Sequence, residues 1–251
     1  MDKAYWDSVA NRFDQEVLKI LDRDREGILA AVISKSSSPK KSVADFGCGN
    51  GSLLPLLSKQ FREVQAIDYS PKLLADAERR NPTARNIRYH QADLSSAFNI
   101  DRKVDVLLCV NVLIDPDGEI RNRILQNAVD SLKKRGLLIL VVPAYESLLH
   151  TYQTIVETNV ALGVQRDEAV ADVEATFRDE VSSLIDGIVT LGSEPTKMHT
   201  QLELETALSD LELAKVSTHR IEYDWSEMID DAPDGLGGPY PWDWLCVARK
   251  S

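Results

Sequence analysis

Between residues 42 and 142, short apolar runs alternate with segments of helical spacing, and no other feature of this chain restricts its fold as much. The runs cover 42–46, 63–68, 87–91, 104–110 and 137–142. Each is too short for a helix and is separated from the next by enough chain to cross over, which is the pattern of a parallel sheet built from β/α units. The intervening helices have marked ends. In Ser70-Pro71 a serine suited to capping precedes a proline at the first helical position, and Asn81-Pro82 stops the same helix. The expected fold is α/β: an open, mostly parallel sheet with helices on both faces.

On either side of this core the pattern changes. Trp6, Val9, Phe13, Val17, Ile20 and Leu21 repeat at helical spacing, and a second helical stretch covers 28–33, so two N-terminal helices are expected before the polar run 34–41. Beyond Pro143, residues 145–162 read as one helix, and Val170, Val173, Phe177, Val181 and Leu184 place a second helix in an insertion at 163–195. A capped helix at 200–211, a strand at 214–223, a Gly/Pro-rich loop at 233–241 and a strand at 242–248 complete the chain. Two successive strands without a helix between them pair antiparallel. The chain therefore reads as a single domain, 1–251. It divides into an N-terminal helical lid (1–41), a ligand-binding core (42–143), a helical insertion (144–199) and a C-terminal helix with a strand pair (200–251).

Several classes of function are disfavoured. The 251 residues carry a net charge of −11, which repels a polyanion, so nucleic acid is not an expected partner. The densest basic cluster, Lys133-Lys134-Arg135, reads as the positive last turn of a helix. Cys48, Cys109 and Cys246 lie far apart, with neither a disulfide framework nor zinc spacing. No apolar run approaches the ~20 residues of a membrane span, and the N-terminus lacks the apolar region of a signal peptide. These features point to a cytoplasmic setting.

The segment Asp45-Phe46-Gly47-Cys48-Gly49-Asn50-Gly51 leaves a strand and enters a helix, so its backbone turns sharply and its amides are free to meet an anionic group. A dinucleotide fingerprint places its third glycine at position 52, where this chain has Ser52. Asp68 ends the second strand, where an acid can accept both ribose hydroxyls, and Asp93 follows the third strand beside the same crevice. The three features stand at the carboxyl ends of successive strands, where open α/β sheets bind ligands.

With Ala66-Ile67-Asp68-Tyr69-Ser70, Gln91-Ala92-Asp93-Leu94 and the segment 132–143, this loop resembles the class I S-adenosylmethionine-dependent methyltransferase family over about 43–143. The resemblance implies a Rossmann-like, mostly parallel seven-stranded sheet with its last strand antiparallel, and S-adenosylmethionine as cofactor. Gly47 and Gly49, with Cys48 between them, would approach its methionine moiety, and Asp45 would anchor the loop and the nearby amine. Asp68 would hold the ribose, Asp93 and Leu94 would meet the adenine, and Tyr69 would flank it. Backbone at Cys109 and Val110 would face the methionine amine. Arg135-Gly136 departs from the family's glycine pair.

Methyl transfer needs alignment and exclusion of water, and does not always need a catalytic side chain. If a base is required, His150, His199 and Tyr145 are the candidates beyond the fifth strand. Asn111 lacks the proline-proline-aromatic continuation of DNA-modifying methyltransferases, and Asp115-Pro116-Asp117 reads as a turn and cap, so no metal is expected. Tyr5, Trp6 and Phe13 are placed either to close over the cofactor or to anchor the first helix in the core. The acceptor is expected to be a small molecule, with a protein side chain as the nearest variant. Two other readings stay open: a nicotinamide-dependent oxidoreductase, and a non-catalytic cofactor-binding partner protein.

Overall fold

The computed structural model describes residues 3–16, 19–97, 100, 102–191, 194–229, 232–233 and 235–251. Val17 of the expected first helix and Asp234 of the expected loop lie outside them. Among the described residues the N-terminal segment holds four short helices, α1 (Lys3–Val9), α2 (Phe13–Glu16), α3 (Ile20–Arg23) and α4 (Ile28–Ser36), where two were expected. The core alternates β1 (Ser38–Phe46), α5 (Leu54–Gln60), β2 (Phe61–Asp68), α6 (Pro71–Arg80), β3 (Ile87–Gln91), β4 (Val104–Val110), α7 (Gly118–Ser131) and β5 (Leu132–Pro143). After α8 (Tyr145–Ala161) and α9 (Arg166–Glu180) come β6 (Val181–Ser183), β7 (Ile188–Leu191), β8 (Glu194–Lys197), α10 (Gln201–Asp210), β9 (Leu213–Glu222) and β10 (Trp242–Lys250).

The main sheet has seven strands in the order β3-β2-β1-β4-β5-β10-β9. Its first five strands are parallel, and β10 runs antiparallel to both β5 and β9. Alternation along each strand distributes side chains to two cores. Ala44, Phe46, Leu107, Leu138 and Leu140 pack under α7 and α10, while Val43, Val64, Leu108, Ile139 and Val141 pack against α4, α5 and α6. Burial on both faces is why these strands read as continuous apolar runs. The sequence signals for helix ends hold. Ser70 accepts the Leu73 N–H, and Thr200 forms a reciprocal capping box with Glu203.

Two expectations need correction. The insertion's second helix stops at Glu180, and Val181 starts a three-stranded antiparallel sheet, β6-β7-β8. The β-branched run Ile188-Val189-Thr190 favours strand, and Gly187 turns into it at φ +60, where a Cβ would stand 2.7 Å from the Met198 carbonyl. Leu184 and Ile185 accordingly lie exposed at the hairpin tip rather than on a packed helix face. Lys133-Lys134-Arg135 is not a helix end either, because α7 closes at Ser131 and these residues open β5. Lys250 Nζ reaches the α7 end instead, 2.6 Å from the Val129 carbonyl. Arg135 itself adopts the left-handed conformation, φ 62, where the register of β5 against β4 shifts between Leu132 and Leu137.

Candidate active site

At the carboxyl edge of the parallel strands the chain reverses direction across the sheet: β1 lies between β2 and β4, leaving a crevice at the switch point. A cleft of 530 Å³ opens there, within the ~300–1,000 Å³ range of small-molecule sites. Its walls include Gly47 and Gly49 after β1, Asp68 and Tyr69 after β2, and Asp93 and Leu94 after β3. Val110, Asn111 and Val112 after β4 add to them, and Trp6 and Phe13 come from the N-terminal helices.

The glycine loop has no room for side chains. Gly47 and Gly49 sit at φ +68 and +54, and added Cβ atoms would come within 2.5 Å of Val112 and 2.7 Å of Phe13. Asp68 fastens this loop to the end of β2: its Oδ2 accepts the Gly49 N–H at 2.8 Å and its Oδ1 accepts the Ser70 N–H at 2.9 Å. Burial raises the Asp68 pKa against these backbone donors. Asp45 lies beneath the loop, 1% exposed, and its Oδ2 has no hydrogen-bond partner. Burial, and then the charge of Asp68, push its pKa up to about 7. A glycine cradle above an uncompensated carboxylate suits a ligand that combines an anionic end with a cationic one.

Asp93 is differently placed. Its Oδ1 accepts the Ser95 N–H at 2.8 Å and the Ser95 hydroxyl at 2.7 Å, and its Oδ2 accepts the Ser96 hydroxyl at 2.8 Å. Partial burial raises its pKa, but these donors outweigh that and hold it below the ordinary carboxylate value.

The roof is latched at several points. Asp7 accepts a hydrogen bond from the Ser70 hydroxyl, and its carbonyl accepts Lys72 Nζ at 3.1 Å. Asp14 accepts Asn50 Nδ2 at 2.6 Å and Arg80 at 3.0 Å. These contacts hold Trp6 and Phe13 over the glycine loop. The sequence offered Trp6 and Phe13 as lid or core residues, but Asp14 carries no motif, and its pairing with Asn50 of the glycine loop emerges only in three dimensions.

Asp45, Cys48 and Cys109, all expected at the site, do not reach the cleft wall. Cys48 and Cys109 are buried, and burial raises both thiols, Cys109 to about 12. Cys109 is paired inside the sheet with Phe46 and Leu140, so of the two residues expected after β4 it is Val110 that lines the cleft.

None of the three candidate bases is in the cleft wall. His199 is buried with Nε2 2.7 Å from the Leu113 carbonyl, and burial lowers its pKa to about 4. It acts as a brace: with the Lys197 N–H on the Ile114 carbonyl at 2.8 Å, it ties the insertion to the loop after β4. Tyr145 packs against Leu148, Val189 and Met198. His150 stacks beside Trp225 and Trp242, its Nε2 2.8 Å from the Pro239 carbonyl. Asp115 and Asp117 serve a turn and the α7 cap, through Asp115 Oδ1 to the Asp117 N–H and Asp117 Oδ1 to the Glu119 N–H.

Residues 43–136 match the family model described as "Methyltransferase domain". Over that stretch the chain is similar to methyltransferases. A curated relative, the dTDP-3-amino-3,6-dideoxy-alpha-D-glucopyranose N,N-dimethyltransferase of Streptomyces fradiae, is 33% identical over 82 residues, 33% of this chain. The match spans about a third of that relative, 31% of its length. Among solved structures, the N-methyltransferase NodS of Bradyrhizobium japonicum with S-adenosyl-L-homocysteine superposes with TM-score 0.63 at 14% identity, covering 99% of each chain. The magnesium protoporphyrin IX methyltransferase of Synechocystis gives 0.61 at 16% identity, covering 99% of this chain and 97% of that one. A SAM-dependent methyltransferase of Methanosarcina mazei gives 0.60 at 19%, covering 87% and 96%. At these identities the structures establish the fold.

Proposed function

We propose that this methyltransferase transfers a methyl group from S-adenosylmethionine to a small-molecule acceptor bound in the cleft beneath Trp6 and Phe13. One observation carries the proposal. Gly47 and Gly49, Asp68, and Asp93, from the ends of three adjacent strands, wall a single cleft whose glycine cradle would be filled by any Cβ. S-adenosylmethionine supplies a methyl group on a sulfonium that departs when a lone pair attacks in line with it.

Within that frame the carboxylate end of the ligand lies against the glycine-loop backbone, whose Cys48, Gly49 and Gly51 N–H groups already donate to Ile67, Asp68 and Cys48, and Asp45, left uncompensated below, balances its ammonium. Asp68 holds the ribose hydroxyls with the lone pairs its two backbone donors leave free. Tyr69, Leu94, Ile120 and Ile124 supply the apolar surround for the adenine, with Asp93 at its edge. Trp6 and Phe13 exclude water and offer aromatic faces to a sulfonium. The acceptor named for the Streptomyces relative, an amino sugar nucleotide, is itself a small molecule.

Titration calorimetry with S-adenosylhomocysteine and, separately, NAD tests the cofactor. Micromolar binding of the first with none of the second is expected, and the reverse would restore the oxidoreductase reading. Binding without release of labelled methyl to any acceptor would favour the partner-protein alternative.

A further inference from the structure

We propose that the acceptor is a small amine, methylated at nitrogen with no protein base. This rests on the methyltransferase reading above and narrows it by what the cleft wall offers the nucleophile.

Among the described residues, the ionisable side chains that line the cleft are Asp68, Asp93, Asp115 and Tyr69. None of the described residues of that wall is a lysine, arginine or histidine, so an acceptor carrying a phosphate or carboxylate next to its reacting atom meets repulsion from the acids there. The acids are poorly suited to deprotonating a hydroxyl. Asp68 is committed to two backbone N–H groups, Asp115 Oδ1 accepts the Asp117 N–H, and Asp93 is held below the ordinary carboxylate range by its serine partners. A hydroxyl with acidity near that of water, ~15.7, lies far beyond the reach of a carboxylate. His199, one of the three candidate bases, is spent behind the wall on the Leu113 carbonyl.

An amine needs none of this help. One with a pKa near the ~8 of an α-amino group is about one-tenth neutral at pH 7 and brings its own lone pair. That nitrogen forms a bond to the methyl carbon as the carbon–sulfur bond breaks. S-adenosylhomocysteine leaves with the bonding electrons, and the new N-methyl ammonium releases its proton to water. The acidic wall and the ring faces of Trp6 and Phe13 favour the cationic forms on either side of this step.

The test uses the full chain, methyl-labelled S-adenosylmethionine and a panel of size-matched primary amines, phenols, alcohols and carboxylates, the amines spanning pKa values of about 7–10. Label is expected in amines alone. For two amines whose pKa values differ by about 2, the inflection in the pH dependence of kcat/KM should move with the amine by the same interval. Label in a phenol, alcohol or carboxylate, label in no amine, or an inflection fixed at one pH for all amines would each overturn the proposal. Calorimetry with S-adenosylhomocysteine separates the two levels. If that ligand binds while the amines stay silent, only the nitrogen assignment fails; if it does not bind, the methyltransferase reading fails first.

Discussion

The floor and the roof of the cleft are built by different means. In the floor, Gly47, Gly49 and Asp68 are fixed by neighbouring parallel strands, and the loop is tied down by the Asp68 carboxylate through backbone N–H groups. The roof and outer wall depend on side chains distant in sequence: Asp14 with Asn50 and Arg80, Asp7 with Ser70, His199 with Leu113. A floor made of backbone is rigid and tolerates no added side chain. A roof held by exposed or half-buried polar contacts, each worth ~0.5–1.5 kcal/mol, opens at little cost and admits ligand.

Substitutions should separate the two. Gly49→Val puts a β-branched residue at φ +54 against the Phe13 ring, and S-adenosylhomocysteine affinity should fall by about 100-fold or more, measured by calorimetry. An affinity within ~3-fold of the native protein would show that the floor is as yielding as the roof.

Asp45→Asn tests the buried charge. Because its folded pKa is raised from 3.8 to about 7, the native state binds the extra proton between those values, and stability falls as pH rises through that window. The asparagine variant should therefore melt above the native protein at pH 8, with the advantage shrinking toward pH 4, while cofactor affinity drops roughly 10-fold for loss of the ammonium's counter-charge.

His199→Gln sharpens the wall. Burial depresses the histidine pKa from 6.5 to about 4, so its unfolded state takes up protons first, and native stability is full above pH 6.5 and lost as pH falls toward 4. Glutamine keeps a donor for the Leu113 carbonyl without that titration. The variant should lose on the order of 1–2 kcal/mol less than the native protein between pH 7 and 5, read by urea unfolding, with S-adenosylhomocysteine affinity unchanged.

The smallest effect belongs to the latch. Asp14→Ala removes the hold on Asn50 and Arg80 and should speed S-adenosylhomocysteine release a few-fold in stopped-flow measurements, with the equilibrium affinity changing by less. A slower release would mean that the N-terminal helices do not close the cleft.

The same division explains what the amino-acid pattern revealed. Strand period, helix caps at Ser70 and Thr200, and the spacing of Gly49 to Asp68 are local or repeat at fixed intervals, so the parallel core and the floor were legible. The β6-β7-β8 sheet was not, because Val181 and Leu184 continue the helical spacing of α9 and only the turn at Gly187 and the run 188–190 speak against it. His199 looked like a base because a histidine beside a loop carries no local sign of its partner. Its commitment to Leu113 spans 86 residues. Lys133-Lys134-Arg135 was misplaced for a similar reason, since Lys250, on the last strand, takes the helix-end role.

The proposal has the floor meet its ligand at Asp68, so the most direct test is calorimetric titration of S-adenosylhomocysteine into the native protein and Asp68→Ala, with circular dichroism to confirm that both are folded. Two charge-assisted hydrogen bonds to the ribose, each worth ~1.5–3 kcal/mol, predict an affinity loss of at least 100-fold. Equal affinity in a folded variant would mean that the ligand is held elsewhere.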